Sequence, residues 1–200
     1  MGESSASLKR VYEGWEGFNT SLVHAVELAT PEALDHRLTP DSRSAREVFL
    51  HIAMGRIGWF LRMDAPGCAE LAEKVPAGAW RTDSIGNRHI DEAVIGKSPG
   101  ELVRWLQDSW AMVDRTLTEW TVDDLWQTRP YTYFGKTYAL SRQWILWRIQ
   151  CHDIYHGGQL TLLLGSQGIE LPELHGLGGH LTEPPVIGET GHPALPTRQK

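Results

Sequence analysis

The chain has little cysteine, no concentration of positive charge and no long apolar run. Its two cysteines, Cys68 and Cys151, are too few for a disulfide framework, so stability must come from a packed core. Nothing approaches the roughly 20 consecutive apolar residues needed to cross a bilayer, and no membrane role is expected. Lys and Arg number 19 against 25 Asp and Glu, a net charge of −6, and no stretch gathers the basic residues. Phosphate neutralisation dominates affinity for nucleic acid, so nucleic acid is not an expected partner. Residues Met1 to Trp15 carry no apolar signal-peptide core, and with so few cysteines the expected location is the cytoplasm. There is no internal repeat.

What the chain does have is helical periodicity. At 200 residues and 22.5 kDa it reads as one domain, long enough to bury roughly 70% of its unfolded surface. Nine Trp is a high count, and the core is the expected destination of most of them. Apolar residues at steps of three and four predict a first helix over Ser7 to Ala29, closed off by Pro31. A second starts at Ser44 with a Ser44/Glu47 capping box and runs to about Met63. A third starts at Ser98, with Pro99 at its first position and Glu101 completing a second box, and runs to about Trp120. A fourth starts near Ser141 and ends between Gly165 and Gly168. The connection over 64–97 is long for a compact domain without function or short elements of its own. Arg129 to Tyr138 alternates and turns at Gly135, as a short hairpin would. The expected fold is therefore all-α, a four-helix bundle over 1–170. An irregular Gly/Pro/His-rich tail follows over 171–200, its His175, His180 and His192 read as loop residues.

The most informative residues are His152 and His156, in Gln150-Cys151-His152-Asp153-Ile154-Tyr155-His156-Gly157-Gly158-Gln159. Four residues apart, both imidazoles project from one helix face. Ile145, Ile149, His152, His156, Leu160 and Leu163 form one stripe, so that face is the core-facing one. Chance alone would supply about 0.4 such pairs, and two hydrogen-bonded core histidines would give the same pattern. A third ligand must carry the assignment. His51 lies alone in the apolar run Val48-Phe49-Leu50-His51-Ile52-Ala53-Met54; by itself it reads as a hydrogen-bonded core histidine, but beside a core-facing pair it is a natural third ligand, because helix bundles build metal sites from facing helices.

Ser44-Ala45-Arg46-Glu47-Val48-Phe49-Leu50-His51 and Trp147 to Leu160 resemble the DinB/YfiT-like superfamily, over about residues 5–172. The resemblance implies a four-helix bundle holding a divalent metal on His51, His152 and His156. It also implies kinship with thiol-dependent enzymes, among them bacillithiol and mycothiol S-transferases and a maleylpyruvate isomerase. Together with the Trp-rich helices it implies a homodimer. The family motif often reads His-x-x-x-His-x-x-His-His-Arg-Gly-Gln, and here Arg148, Tyr155 and Gly157 replace the extra histidines and the arginine.

Three neutral imidazoles would leave an ion its full charge and at least one open position, the arrangement of catalytic zinc. All-nitrogen ligation suits Zn²⁺ or Ni²⁺, with Cu²⁺ also compatible. Gln159 shares the histidine face and is the candidate catalytic residue through a water at the metal; an amide satisfying backbone at the bundle end is the alternative. Glu47 could orient His51, although a solvated helix-start carboxylate is the plainer reading. Asp153 and Tyr155 lie off the ligand face. Gly55 and Gly58 imply either room for a substrate or close helix packing, and Cys151 reads as a small buried hydrophobe. Two functions are expected. One is a metal-dependent transferase that activates a low-molecular-weight thiol, or water, toward a small-molecule substrate. The other is a non-catalytic metal- or ligand-binding stress protein.

Overall fold

The structure is a computed structural model and describes residues 7–171. In chain order its elements are α1 (Trp15–Leu28), α2 (Pro31–Asp35), α3 (Ala45–Leu61), α4 (Cys68–Lys74), β1 (Trp80–Thr82), β2 (Arg88–Ile90), α5 (Pro99–Glu119), β3 (Thr128–Tyr133), β4 (Lys136–Ser141) and α6 (Arg142–Gly165). Local chemistry sets the starts of the later long helices. Ser44 accepts from the Glu47 amide while Glu47 accepts from the Ser44 amide, and Ser98 and Glu101 repeat the exchange before α5. Ser141 accepts from the Trp144 amide and opens α6. Each cap satisfies amides that the first turn leaves without helical partners.

The protein is mostly helical but not all-α. The hairpin expected over 129–138 is β3–β4, paired from Thr128↔Ser141 to Tyr133↔Lys136. Its two turn residues, Phe134 and Gly135, have φ of 45° and 70°, the left-handed pair that a tight hairpin requires. The long connection is also not structureless. It contains α4 and a second hairpin, β1–β2, each too short to be legible as periodicity. The expected first helix is interrupted. Leu8–Arg10 make a single 3₁₀ turn, and Gly14 at φ 96° breaks the path before α1, leaving Val11 67% exposed. Pro31 begins α2 instead of ending α1, because Thr30 caps it by accepting from the Ala33 amide. Three of the nine Trp, namely Trp15, Trp105 and Trp120, are fully buried; Trp59, Trp80, Trp110 and Trp144 are half-buried, and Trp126 and Trp147 are exposed. Seven of the nine thus lie in the core or pack against it, as expected, four of them with one edge at the surface. The tail histidines lie outside the described residues.

Helix α3 is the centre of the core. It packs against α5 on one side and α6 on the other, and Val48, Phe49, Leu50, Ile52, Ala53, Ile57 and Phe60 are almost completely buried around its circumference. Each such large side chain contributes about 1.5–3 kcal/mol. The core therefore has ample apolar burial to fold without help from a metal ion.

One charged pair lies inside that core. The Arg56 and Asp153 side chains are both 0% exposed, with Arg56 Nη2 2.7 Å and Nε 2.9 Å from Asp153 Oδ2. Trp15 Nε1 donates to the same oxygen at 2.9 Å, and Arg56 Nη1 donates to Asn19 Oδ1 at 2.6 Å and to Ser109 Oγ at 3.4 Å. Trp15 and Asn19 belong to α1, Arg56 to α3, Ser109 to α5 and Asp153 to α6, so one network joins all four long helices. Burial by itself would raise the Asp153 carboxyl. The Arg56 charge and the hydrogen bonds from Arg56 and Trp15 outweigh it and hold the group below the usual carboxylate range. Removing one partner of a buried pair strands the other charge. Arg56→Met is expected to lower the unfolding free energy by about 3–5 kcal/mol in urea denaturation, and Arg56→Met/Asp153→Leu to recover part of that loss.

Candidate metal centre

Helices α3 and α6 run antiparallel: His51 faces His152 and His156, while two turns further along α3 Trp59 faces Trp144. The three imidazoles form one cluster, with ring centroids 4.9 Å apart for His51–His152, 4.7 Å for His51–His156 and 4.4 Å for His152–His156. One nitrogen from each lies within 4.8 Å of the others, a group that could hold a metal ion.

The outer partners support that use. His51 Nδ1 donates to Glu92 Oε1 at 2.6 Å, and His156 Nδ1 donates to Gln159 Oε1 at 2.7 Å. His152 Nδ1 lies 3.6 Å from Asp153 Oδ1, and among the described residues neither atom has a hydrogen-bond partner. With a proton on each Nδ1 directed at an oxygen, the Nε2 lone pair of each ring is free to ligate. His156 is pushed down to about 4, first by burial and then by the charges of His152, His51 and Arg43, against the opposing hydrogen bond to Gln159. It is therefore neutral, and competent as a ligand, at neutral pH.

Each outer partner is placed by a different local device. Asp153 is fixed by Arg56. Gln159 shares the His156 face one turn on, and its Nε2 donates to the Tyr155 hydroxyl at 3.2 Å. Its amide oxygen is engaged by His156, which was neither of the roles weighed for it from the sequence. Glu92 comes from the long connection: the Asp91 amide donates to Ala79 O at 2.7 Å, and the Asp91 side chain caps the 3₁₀ turn Glu92–Val94. No sequence signal marked Glu92, which stands 41 residues from His51 in a segment without periodicity. Glu47, the carboxylate considered for His51, completes the α3 cap and pairs with Arg37. Cys151 is exposed, because α6 turns its neighbours about 100° apart and buries the other side.

Gly55 exists for the close approach of a ligand. A Cβ there would lie 2.8 Å from His152 Cε1 and 3.3 Å from Nε2. At Gly58 a Cβ would meet only Arg62 Nη1, at an ordinary 3.5 Å. Gly55, Gly58, Trp59, Arg62 and Glu92 line a cavity of about 140 Å³ beside the histidines. There is thus space next to the centre as well as close packing at it.

Residues 16–160 match the sequence profile of the DinB superfamily, a span that includes all three histidines. The chain belongs to that superfamily. Two solved DinB-like proteins share its fold. The one from Bacillus cereus superposes with a TM-score of 0.60 at 17% identity, covering 84% of this chain and 98% of its own. The one from Bacillus subtilis gives 0.52 at 14% identity, covering 82% and 96%. No curated protein matches the chain. Within this DinB fold the two supports of the histidine rings are separately testable. Glu92→Gln weakens the orientation of His51, and Gly55→Ala displaces the His152 ring. Each is expected to cost about 10–100-fold in Zn²⁺ affinity, read by competition with a chromophoric chelator, while circular dichroism stays native.

Proposed function

We propose that the protein is a metal-dependent transferase that uses a low-molecular-weight thiol, with His51, His152 and His156 holding a divalent ion. The observation that carries this reading is the convergence of three imidazoles whose Nδ1 atoms each face an oxygen, which leaves the Nε2 lone pair of each ring free to ligate. The all-nitrogen donor set suits Zn²⁺ or Ni²⁺. When bound, such an ion supplies positive charge that favours the thiolate form of a thiol. The protein's own residues then position and shield. Glu92, Asp153 and Gln159 hold the rings, the buried flank at His156 excludes water, and Trp59 and Gly58 shape the neighbouring cavity. The sulfur forms a bond to an electrophilic carbon, the leaving group departs with its electron pair and the thiol proton passes to solvent. The chain contributes orientation and proximity without a covalent step of its own. The cavity beside the histidines favours this reading over a purely metal-storing or sensing one.

Purified protein is expected to carry one divalent ion per chain. Loaded protein is expected to conjugate a cellular thiol to 1-chloro-2,4-dinitrobenzene well above the rate of the stripped protein, and His51→Ala to fall to the stripped rate. Equal rates for loaded and stripped protein with every common cellular thiol would replace catalysis with the non-catalytic binding role.

We further propose a homodimer built through α6. Trp147, Ile154 and Leu162 are 56%, 48% and 65% exposed and follow one another at steps of seven and eight, with exposed Cys151 between them. This apolar stripe is about 22 Å long. At Gly158, on the same face, a Cβ would meet nothing within 4 Å, so a second helix has room to approach. A stripe of this kind is self-complementary about a two-fold axis. Light scattering is expected to give twice the 22.5 kDa chain mass and Ile154→Arg to give the single mass, whereas a monomeric wild type overturns the dimer.

A further inference from the structure

A second, larger cavity lies along the same α3–α6 groove, away from the histidines. It holds about 410 Å³ and is lined by Trp59, Tyr131, Tyr133, Tyr138, Trp144 and Arg148. That is within the range of small-molecule sites. It is built from three separate elements: α3 supplies Trp59, the β3–β4 hairpin supplies the tyrosines and α6 supplies Trp144 and Arg148. The rings interlock, with Trp59 centred 5.6 Å from both Tyr131 and Trp144.

The charge in this cavity is of one sign. The Arg148 guanidinium sits 4.6 Å from the Trp59 ring centre and 5.3 Å from that of Trp144. Among the described residues it has no hydrogen-bond or ion-pair partner. Arg62 lies over the other neighbours, 4.7 Å from Trp59 and 5.6 Å from Tyr131, and its two terminal nitrogens already donate to Gly58 O and Arg88 O. Neither arginine pairs with a carboxylate, whereas Arg37, Arg46, Arg129 and Arg142 all do. Burial first, and then the like charge of Arg148, hold Arg62 below its ordinary value against the opposing influence of Tyr131 and Asp83. The site therefore offers flat aromatic walls and, at its exposed rim, one guanidinium fork with no protein acceptor among the described residues. A fork of this geometry matches a carboxylate in two parallel hydrogen bonds, and aromatic walls match a planar body.

We propose that this cavity binds a small planar carboxylate, an aromatic or conjugated acid whose carboxylate meets Arg148 and whose flat body lies among Trp59, Trp144 and Tyr131. Trp59 lines both this cavity and the smaller one that includes Glu92, and Arg148 precedes His152 by one helical turn. A ligand anchored on Arg148 thus lies one helical turn from His152. Its role as the electrophilic co-substrate rests on the transferase reading; its binding does not.

The test is isothermal titration of the full chain, stripped of metal, with 2-naphthoate and with its neutral isostere 2-naphthamide. Naphthoate is expected to bind at least tenfold more tightly than the amide. Arg148→Met is expected to erase that preference, Arg148→Gln to do the same, and Trp144→Leu to weaken both ligands. His156→Ala and added Zn²⁺ are expected to leave naphthoate affinity within twofold. Equal affinity of wild type for the two ligands overturns the proposal, as does a preference that survives both Arg148 variants. Loss of naphthoate binding in His156→Ala would place the carboxylate on the histidines and also overturn it. Because the protein is metal-free, failure to find thiol transfer leaves these outcomes unaffected.

Discussion

The buried contact between Arg56 and Asp153 is the constraint on which the rest of the arrangement depends. Taking both charges out of water costs several kcal/mol per ion, and only good geometry with further hydrogen bonds offsets that cost. Trp15, Asn19 and Ser109 supply those bonds from two other helices. Four helices must therefore meet in one relative arrangement or leave a charge stranded. Apolar packing alone tolerates sliding and repacking; a buried pair with directional partners does not.

The same carboxylate reaches the candidate metal centre. Oδ2 of Asp153 faces Arg56 and Trp15, while Oδ1 faces His152. The orientation of one imidazole is thus tied to the device that sets the helix arrangement. Gly157 contributes from the same stretch of α6, since a Cβ there would lie 2.5 Å from Phe18 Cζ. The family motif often has an arginine at this place, and here α1 fills the space with an aromatic ring. Arg148, where the motif often has histidine, instead stands over Trp59 and Trp144 in the aromatic cavity. The departures of this chain from the motif fall around the histidines and leave the three of them together.

Much of the frame was legible because it is local. Both capping boxes, the serine before α6, the Arg129–Tyr138 hairpin and the His152/His156 face follow from interactions within a few residues. What was not legible has equally specific causes. Gly14 breaks a periodic stretch through a backbone angle that apolar spacing does not reveal. The β1–β2 hairpin is three residues per strand and too short to carry a pattern. Arg56 interrupts an apolar run and gave no sign of its partner 97 residues away. Four of the nine tryptophans straddle core and surface, because an indole has a polar edge and the groove above α3 and α6 has aromatic walls.

The sequence by itself determined which residues are helical over most of their length, where three of the four long helices begin and that His152 and His156 share one helix face. These follow from propensity, capping and the 3.6-residue period, which act over one or two turns. Only the tertiary structure decided that Glu92 orients His51, that Gly55 makes room for the His152 ring, and that Trp59 joins two cavities. Those outcomes depend on antiparallel packing of α3 on α6 and on where a 34-residue connection returns. Contacts between residues 40 to 140 positions apart are set by packing and hydrogen-bond geometry in three dimensions, and no periodicity along the chain encodes them.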